Sequence, residues 1–241
     1  MLFIRSALFN LCFFIWTPVC SILLIVFRLF GFRACWFWAR AWSRTTLWLA
    51  RIICGIRYEI EGAEHLPDAP CVVMAKHQSA METIAMPLLI PPYVWVLKRE
   101  LFYIPVFGWA LRVINAIAIR RSQPREALKQ VVAQGSDFLH EGRWVVIFPE
   151  GTRTAPGETG NYQASGIMLA HRAKAGILPM AHNAGQCWPK QGFIKRPGTV
   201  RFRFLPFIDT QTVHSARRND LLEQLKNNIE SNCREVESLN S

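Results

Sequence analysis

Three spacings of apolar and polar residues follow one another along the chain, and the first is an apolar run over residues 6–27 that carries no charge. Its 22 residues are enough to cross the hydrocarbon core of a bilayer as a helix. Pro18 lies within the run and could kink the helix or divide it into a re-entrant pair. Because only Arg5 precedes the run and no small-x-small site follows it, we predict a retained segment rather than a cleaved signal peptide.

The second pattern, over residues 33–54, has the three-to-four spacing of an amphipathic helix. Four arginines at intervals of 7, 4 and 7 align on one arc of this helix: Arg33, Arg40, Arg44 and Arg51. The opposite side carries Cys35, Trp38, Trp42, Leu49 and Ile53. Such a helix either lies in a membrane interface, with Arg toward phosphates and Trp toward acyl chains, or packs on the protein with a solvated Arg face. Because no acidic residue balances the arginines, we favour the interface.

From Ile56 onward, short apolar runs alternate with amphipathic stretches, which is typical of an α/β fold. The predicted strands are 56–60, 71–75, 93–97, 115–119, 144–148, 177–181 and 199–205. The predicted helices are 80–89, 102–112, 124–141, 162–174 and 217–237. We expect a mainly parallel or mixed sheet of about seven strands flanked by helices, preceded by the N-terminal helical membrane segment. Residues 199–204 alternate between polar and apolar, which predicts an edge strand.

These patterns divide the chain into membrane-attachment helices over 1–55, an α/β domain over 56–208 and a C-terminal helix over 209–241. The formal net charge is +11, and residues 1–57 contain seven Arg, no Lys and no acidic residue. A basic, Trp-rich apolar segment favours an anionic membrane surface over nucleic acid as the partner. More Arg follow the apolar run than precede it, which predicts the inner membrane with the body of the protein facing the cytoplasm. The seven cysteines form no C-x-x-C pair and indicate a reducing compartment.

Candidate chemistry follows two of the predicted strands, where α/β folds place their active sites. His77 and Glu82 come after the first, in Lys-His-Gln-Ser-Ala-Met-Glu. Residues five apart on one helix point away from each other, so the two can meet only if the chain turns between them. Ser79 can cap a helix that starts near residue 80, which would let Glu82 reach back to a base on the turn. In the alternative interpretation, Glu82 only caps its helix and His77 is an ordinary surface histidine.

Four sequence blocks resemble, in order, those of the glycerolipid acyltransferases. The block from Lys76 to Ala85 is similar to their H-x-x-x-x-D motif, with Glu82 in place of the usual Asp. The block from Lys98 to Trp109, closed by Arg121, is similar to the second. The remaining two blocks are Phe148–Arg153, which matches F-P-E-G-T-R, and Ile177–Gly185. Within the family, the pattern is closest to that of the bacterial 1-acylglycerol-3-phosphate acyltransferases.

The resemblance implies acyl transfer from a thioester of coenzyme A or acyl carrier protein to the sn-2 hydroxyl of membrane lysophosphatidic acid, giving phosphatidic acid. His77 would be the general base and Glu82 would orient it. Arg153 would bind the acceptor phosphate bidentately. The other residues that the resemblance assigns to substrate binding are Lys98, Arg121, Glu150, Gly151 and Thr152. No spacing predicts a metal site and no Gly-rich loop predicts a bound cofactor, so the donor is a co-substrate.

Several positions leave the acceptor open. Arg120 precedes Arg121, Gln163 replaces a basic residue, and Ser165 stands where the family often has Gly. The same chemistry on glycerol-3-phosphate or on an amino-acid lyso-lipid is one alternative. A non-catalytic lipid-binding protein is another, whereas an ester hydrolase would need a G-x-S-x-G elbow that the chain lacks.

Overall fold

The computed structural model describes residues 1–240 and contains a seven-stranded mixed sheet. Its strands are β1 (Ile56–Glu61), β2 (Val72–Ala75), β3 (Tyr93–Lys98), β4 (Ile117–Ile119), β5 (Trp144–Ile147), β6 (Ile177–His182) and β7 (Gly198–Phe204). They are arranged in the order β1-β7-β6-β2-β5-β3-β4. All neighbours are parallel except β6 and β7, which are antiparallel. The predicted fold class is therefore confirmed.

Helices cover both faces of the sheet. They are α1 (Leu2–Phe27), α2 (Phe32–Leu49), α3 (Met81–Leu89), α4 (Phe107–Val113), α5 (Pro124–His140), α6 (Ser165–Ala173), α7 (Ala184–Cys187), α8 (Thr210–Ser215) and α9 (Arg218–Ser238). The helix predicted over 102–112 is divided into a 3₁₀ turn, Arg99–Tyr103, and α4, because Pro105 cannot continue the hydrogen-bond ladder. Helix α5 begins at its proline and is followed by Gly142 with φ +85°, as expected from the sequence.

The prediction that residues 199–204 form an edge strand was wrong, because β7 lies between β1 and β6. Its apolar side chains enter the core. Its outward Arg203 pairs with Glu61 of β1 at 2.6 Å and with Glu235 of α9 at 2.9 Å. The alternation therefore reflects one polar face that is satisfied by ion pairs, whereas the edges are β1 and β4.

Two apolar layers pack on the sheet, and successive residues of its strands alternate between them. Trp95 of β3 and Val146 of β5 belong to the layer shared with α1, α2, α3 and α4. Val94 and Val145 belong to the layer shared with α5, α6, α8 and α9. Because the strands are buried on both faces, they read in sequence as continuous apolar runs.

Helix α1 lies against the body of the protein over most of its length. Phe9, Cys20 and Leu24 are buried, and the Ser6 hydroxyl accepts a hydrogen bond from the Lys195 N–H at 2.9 Å. It is the one helix in residues 1–240 that is long and apolar enough to cross a membrane. An apolar stripe is exposed on the outer side of α1 and continues into the 3₁₀ turn Arg28–Phe30; it is formed by Ile4, Leu8, Leu11, Ile15, Val19, Ile22, Val26 and Leu29.

Helix α2 does not point Trp38 and Trp42 outward as predicted. Trp42 Nε1 donates to Thr17 Oγ1 at 3.2 Å, and the Trp38 ring lies 5.1 Å from that of Phe27, so both contact α1. Helix α2 therefore packs on the protein, and its position in a membrane interface stays a prediction. Three of the four arginines are exposed: Arg33, Arg44 and Arg51. The apolar residues that α2 and its final turn do expose are Phe37, Trp48 and Ile52.

Candidate active site

His77 and Glu82 meet beyond the carboxyl end of β2. His77 Nδ1 lies 2.8 Å from Glu82 Oε1, which also accepts the N–H groups of Ser79 at 2.9 Å and Gln78 at 3.2 Å. The Ser79 hydroxyl accepts the N–H of Met81 at 3.0 Å. One oxygen of Glu82 therefore binds both the turn that precedes α3 and the His77 ring, which is the arrangement in which Glu82 reaches back to His77.

The surroundings of this pair favour an ionised Glu82 and a reactive Nε2 on His77. Burial alone would raise the pKa of the Glu82 carboxyl, but the hydrogen bonds from His77 and Ser79 outweigh it, and the pKa lies below its usual value. A carboxylate on Nδ1 selects the tautomer with the proton on Nδ1, which leaves the Nε2 lone pair free. The ring stacks on Phe148 with centroids 4.1 Å apart, and it borders the main cavity.

The peptide unit between Lys76 and His77 is held at both ends. The His77 N–H donates to Glu150 Oε2 at 2.8 Å, and the Lys76 carbonyl accepts from His182 Nε2 at 2.8 Å. The N–H of Ala184 donates to His182 Nδ1 at 3.2 Å, which requires a neutral ring with its proton on Nε2. Burial lowers the pKa of His182, which agrees with that tautomer. His182 is thus a core residue that positions the backbone of His77.

Lys76 points away from His77 into a fully buried ionic cluster. Its Nζ donates to Glu150 Oε1 at 2.8 Å, to Glu230 Oε1 at 2.7 Å and to the Glu158 carbonyl at 2.7 Å. Burial alone would lower the pKa of Lys76, but the two carboxylates outweigh it and raise the pKa above its usual value. Glu230 lies on α9 and also accepts from the Tyr162 hydroxyl at 2.9 Å.

Lys76 and Glu230 were not predicted from the sequence as site residues. The available signal was a charge on the apolar face of the last helix, where Glu230 is flanked by the buried residues Ile229 and Cys233. Glu150 was predicted to bind the substrate. Its carboxylate instead binds Lys76, the His77 N–H and the Thr154 hydroxyl, the last at 2.8 Å.

Seven of the eight predicted site residues line one cavity of about 890 Å³: His77, Lys98, Arg121, Glu150, Gly151, Thr152 and Arg153. The eighth, Glu82, lies behind the His77 ring. Gly151 has φ +65°, a conformation that favours glycine. Arg153 Nε is buried and donates to no other atom of residues 1–240. Lys98 is exposed and lies 3.5 Å from the equally exposed Glu100.

The residues that line this cavity come from both apolar layers of the sheet. We call the lining from the layer of α1, α2 and α4 the first lobe, and the lining from the layer of α5 and α6, with β4, the second lobe. The first lobe is lined by Leu24, Trp42, Trp95, Ala110, Leu111 and Ile114. The second lobe is lined by Val96, Ile119, Leu128, Val131, Ile147 and Met168. Adjacent residues of β3, Trp95 and Val96, thus face different lobes.

Known proteins resemble this chain in sequence and in fold. The model of the family described as Acyltransferase matches residues 57–183. The 1-acyl-sn-glycerol-3-phosphate acyltransferase of Pseudomonas aeruginosa is 46% identical over 203 residues, which cover 82% of this chain and 78% of that protein. The chain belongs to the acyltransferase family.

Two further proteins extend the comparison of this acyltransferase. The mouse 1-acyl-sn-glycerol-3-phosphate acyltransferase alpha is 30% identical over 172 residues, covering 70% of this chain and 60% of that protein. The crystal structure of the 1-acyl-sn-glycerophosphate acyltransferase of Thermotoga maritima superposes with a TM-score of 0.77 over 98% of both chains at 21% identity, which shows a shared fold.

The comparisons confirm the family resemblance seen in the four sequence blocks and identify an O-acyltransferase of phospholipid biosynthesis. The roles of individual residues, the acyl donor, and the absence of a metal or bound cofactor stay predictions. Glu230 lies outside the matched residues 57–183, so the ionic cluster around Lys76 reaches beyond the part of the chain that the family match covers.

Proposed function

We propose that this acyltransferase moves an acyl chain from a thioester donor to the sn-2 hydroxyl of 1-acylglycerol-3-phosphate and so makes phosphatidic acid. The observation that carries the proposal is the 2.8 Å contact between His77 and Glu82, at a cavity that also contains Arg153, Lys98 and Arg121. The relatives from Pseudomonas and mouse, which are named for this activity, support the choice of acceptor.

His77 acts as the general base in this mechanism. Its Nε2 takes the proton of the acceptor hydroxyl while the oxygen attacks the thioester carbonyl. When the tetrahedral intermediate collapses, the carbon–sulfur bond breaks and the imidazolium returns the proton to the leaving thiolate. Buried, ionised Glu82 stabilises the imidazolium and keeps the ring oriented.

The acceptor phosphate binds to the cations beside the base. Arg153 is the main ligand because a guanidinium can form paired hydrogen bonds with phosphate oxygens and its Nε has no protein acceptor within residues 1–240. Lys98 and Arg121 supply further positive charge, and Gly151 and Thr152 shape the turn. We assign Glu150 to positioning His77 rather than to binding the substrate, because its carboxylate is engaged in the ionic cluster.

The acyl chain binds, and the membrane contacts the enzyme, on the side formed by α1 and α2. The first lobe is apolar and suits an acyl chain. Because α1 packs on the protein along its length, we propose that it is embedded sideways through its exposed stripe rather than crossing the bilayer alone. The exposed residues Tyr103, Ile104 and Trp109 would extend this surface.

The roles of the three parts of the chain belong to the same proposal. Residues 1–55 attach the enzyme, 56–208 carry the chemistry, and 209–241 brace it through Glu230. The inner membrane, with the catalytic domain in the cytoplasm, is the location that the arginines following α1 favour and that a water-soluble thioester donor requires.

The test is a reconstituted reaction. Purified protein in lipid or detergent would receive lysophosphatidic acid with palmitoyl-coenzyme A or palmitoyl-carrier protein, and lipid products would be identified by mass. Phosphatidic acid that forms with wild-type protein and not with His77→Ala supports the proposal. Product only from glycerol-3-phosphate or from an amino-acid lyso-lipid would overturn the acceptor, and no product from any of them would overturn the activity.

A further inference from the structure

The second lobe has a different character from the first. Its walls are apolar where they rest on the sheet, at Val96 and Ile147. Two exposed cations, Arg125 at the start of α5 and Arg218 at the start of α9, line the same lobe and therefore stand at its opening. Neither arginine lies within ion-pair distance of an acidic side chain among residues 1–240.

The shape of a thioester donor requires two channels at the base. The fatty chain and the thiol-bearing arm leave the reacting carbonyl in opposite directions, so a carbonyl held at His77 needs space on both sides. The fatty chain is wholly apolar and fits the first lobe, which adjoins α1 and α2. The other arm is a phosphopantetheine, a narrow chain with methyl groups and amides that ends in a phosphate.

We propose that the second lobe binds the phosphopantetheine arm of the acyl donor and that Arg125 and Arg218 bind its phosphate. The apolar walls suit the methyl and methylene groups of the arm, and the guanidinium groups at the opening suit the phosphate. The lobe opens on the face of the sheet opposite α1 and α2, so the soluble part of the donor stays in water while the acyl chain stays near lipid. This inference rests on the proposed acyl transfer.

The first experiment separates donor binding from acceptor binding. In the variant Arg125→Gln/Arg218→Gln, the donor KM should rise about three- to tenfold, as expected for exposed charge pairs. The acceptor KM and kcat should stay unchanged. The matched control is Arg172→Gln, an exposed arginine of α6 that does not line the cavity. An unchanged donor KM, or an equal rise in the control, would overturn the assignment.

The second experiment removes the phosphate instead of the arginines. Wild-type protein should use palmitoyl-phosphopantetheine at a KM about three- to tenfold below that of palmitoyl-pantetheine, whereas the double variant should not distinguish the two donors. Full discrimination by the double variant would mean that other groups bind the phosphate. This cycle isolates one contact, because each change removes the same pair.

The third experiment asks which part of the donor the arginines contact. A similar loss with palmitoyl-coenzyme A and with palmitoyl-carrier protein supports the shared arm. A loss with the carrier protein alone would indicate docking of its protein surface, and a loss with coenzyme A alone would indicate its nucleotide. Either of these results overturns the proposal.

A binding measurement keeps this inference distinct from the proposed function. The non-reactive thioether palmityl-phosphopantetheine, titrated into the detergent-solubilised protein by calorimetry, reports on the lobe without any acceptor. Binding that the double variant weakens about three- to tenfold, together with no acylation of lysophosphatidic acid, would retain the lobe and reject the function. Normal acylation together with unchanged binding in the double variant would retain the proposed acyl transfer and reject the assignment of the second lobe.

Discussion

Two carboxylate clusters lie on either side of the peptide bond between Lys76 and His77, and they differ in one respect. The Lys76 cluster is closed, because the Lys76 side chain is 1% exposed and its ammonium binds Glu150, Glu230 and a backbone carbonyl. The His77 cluster is open, because Glu82 is fully buried while the His77 side chain keeps 13% of its surface exposed. A buried ion pair whose donors are all used holds the chain in place, and one with a free nitrogen can react.

The two clusters also share parts. Glu150 binds the Lys76 ammonium with one oxygen and the His77 N–H with the other. The closed cluster therefore fixes the backbone of His77 through the Glu150 carboxylate alone. This difference leads us to expect that substitutions in the open cluster change the chemistry with little change in stability, and that substitutions in the closed cluster do the opposite.

The largest effect should come from the open cluster. His77→Ala should lower kcat by about 10²–10⁴-fold, the usual contribution of a general base. The midpoint of thermal unfolding should fall less than in the closed cluster, because Glu82 Oε1 keeps the N–H groups of Gln78 and Ser79 as partners. Glu82→Asp, which restores the usual acidic residue of the family, should keep partial activity. Near-normal turnover by His77→Ala would remove the distinction between the clusters.

The closed cluster should respond in stability. Lys76→Met leaves two buried carboxylates without their cation, which typically costs about 3–5 kcal/mol. For a chain of this size the unfolding midpoint should fall by roughly 6–20 °C, as circular dichroism in detergent would measure. Adding Glu230→Gln should recover part of the loss, since one of the two unpaired charges is removed. A Lys76→Met variant with an unchanged unfolding midpoint and no activity would show that Lys76 acts in the chemistry rather than in stability.

A third substitution tests whether Arg153, which lines the cavity beside His77, binds the acceptor phosphate. Arg153→Ala should raise the acceptor KM about ten- to hundredfold, since a charge-assisted hydrogen bond contributes roughly 1.5–3 kcal/mol. Arg153→Lys should recover only part of this, because the paired geometry is lost. Steady-state kinetics with acceptor and donor varied separately would measure both. A rise in the donor KM alone would show that Arg153 serves the other substrate.

The smallest effect is a dependence of stability on pH. The folded pKa of Glu82 is lowered, so its ionised form stabilises the fold at neutral pH. That contribution should disappear as the pH falls from about 4.3, the unfolded value, through the lower folded value. The advantage of wild-type protein over Glu82→Gln in unfolding midpoint should therefore shrink below about pH 4.3. A difference that stays constant down to about pH 2 would contradict the lowered pKa.

Local patterns predicted the open cluster and most of the sheet. His77 and Glu82 are five residues apart, so the turn that joins them could be deduced from helix geometry and the Ser79 cap. The buried strands were recognisable because apolar runs of this length fit few other structures. The fold class followed from their alternation with helices.

Contacts between distant parts of the chain were not predictable in the same way. Lys76 and Glu230 are 154 positions apart, and neither has a local feature that identifies the other. Strand β7 looked like an edge because Arg203 is polar, but its partners on β1 and α9 are supplied only by the folded structure. Trp38 and Trp42 could face a membrane or a protein surface equally well in the sequence, and only the folded position of α1 shows that they contact protein.

The position of Glu230 fixes an order of events during synthesis. A ribosome completes α1 early, and the apolar stripe of this helix can attach the growing chain to a bilayer at once. Glu230 is added 154 residues after Lys76, which takes roughly 8–30 s at ordinary elongation rates. Until α9 emerges, the Lys76 ammonium lacks one of its two carboxylates and the support behind His77 is incomplete. If α1 inserts into lipid as proposed, the growing chain would reach the membrane before the ionic cluster that supports the backbone of His77 is complete.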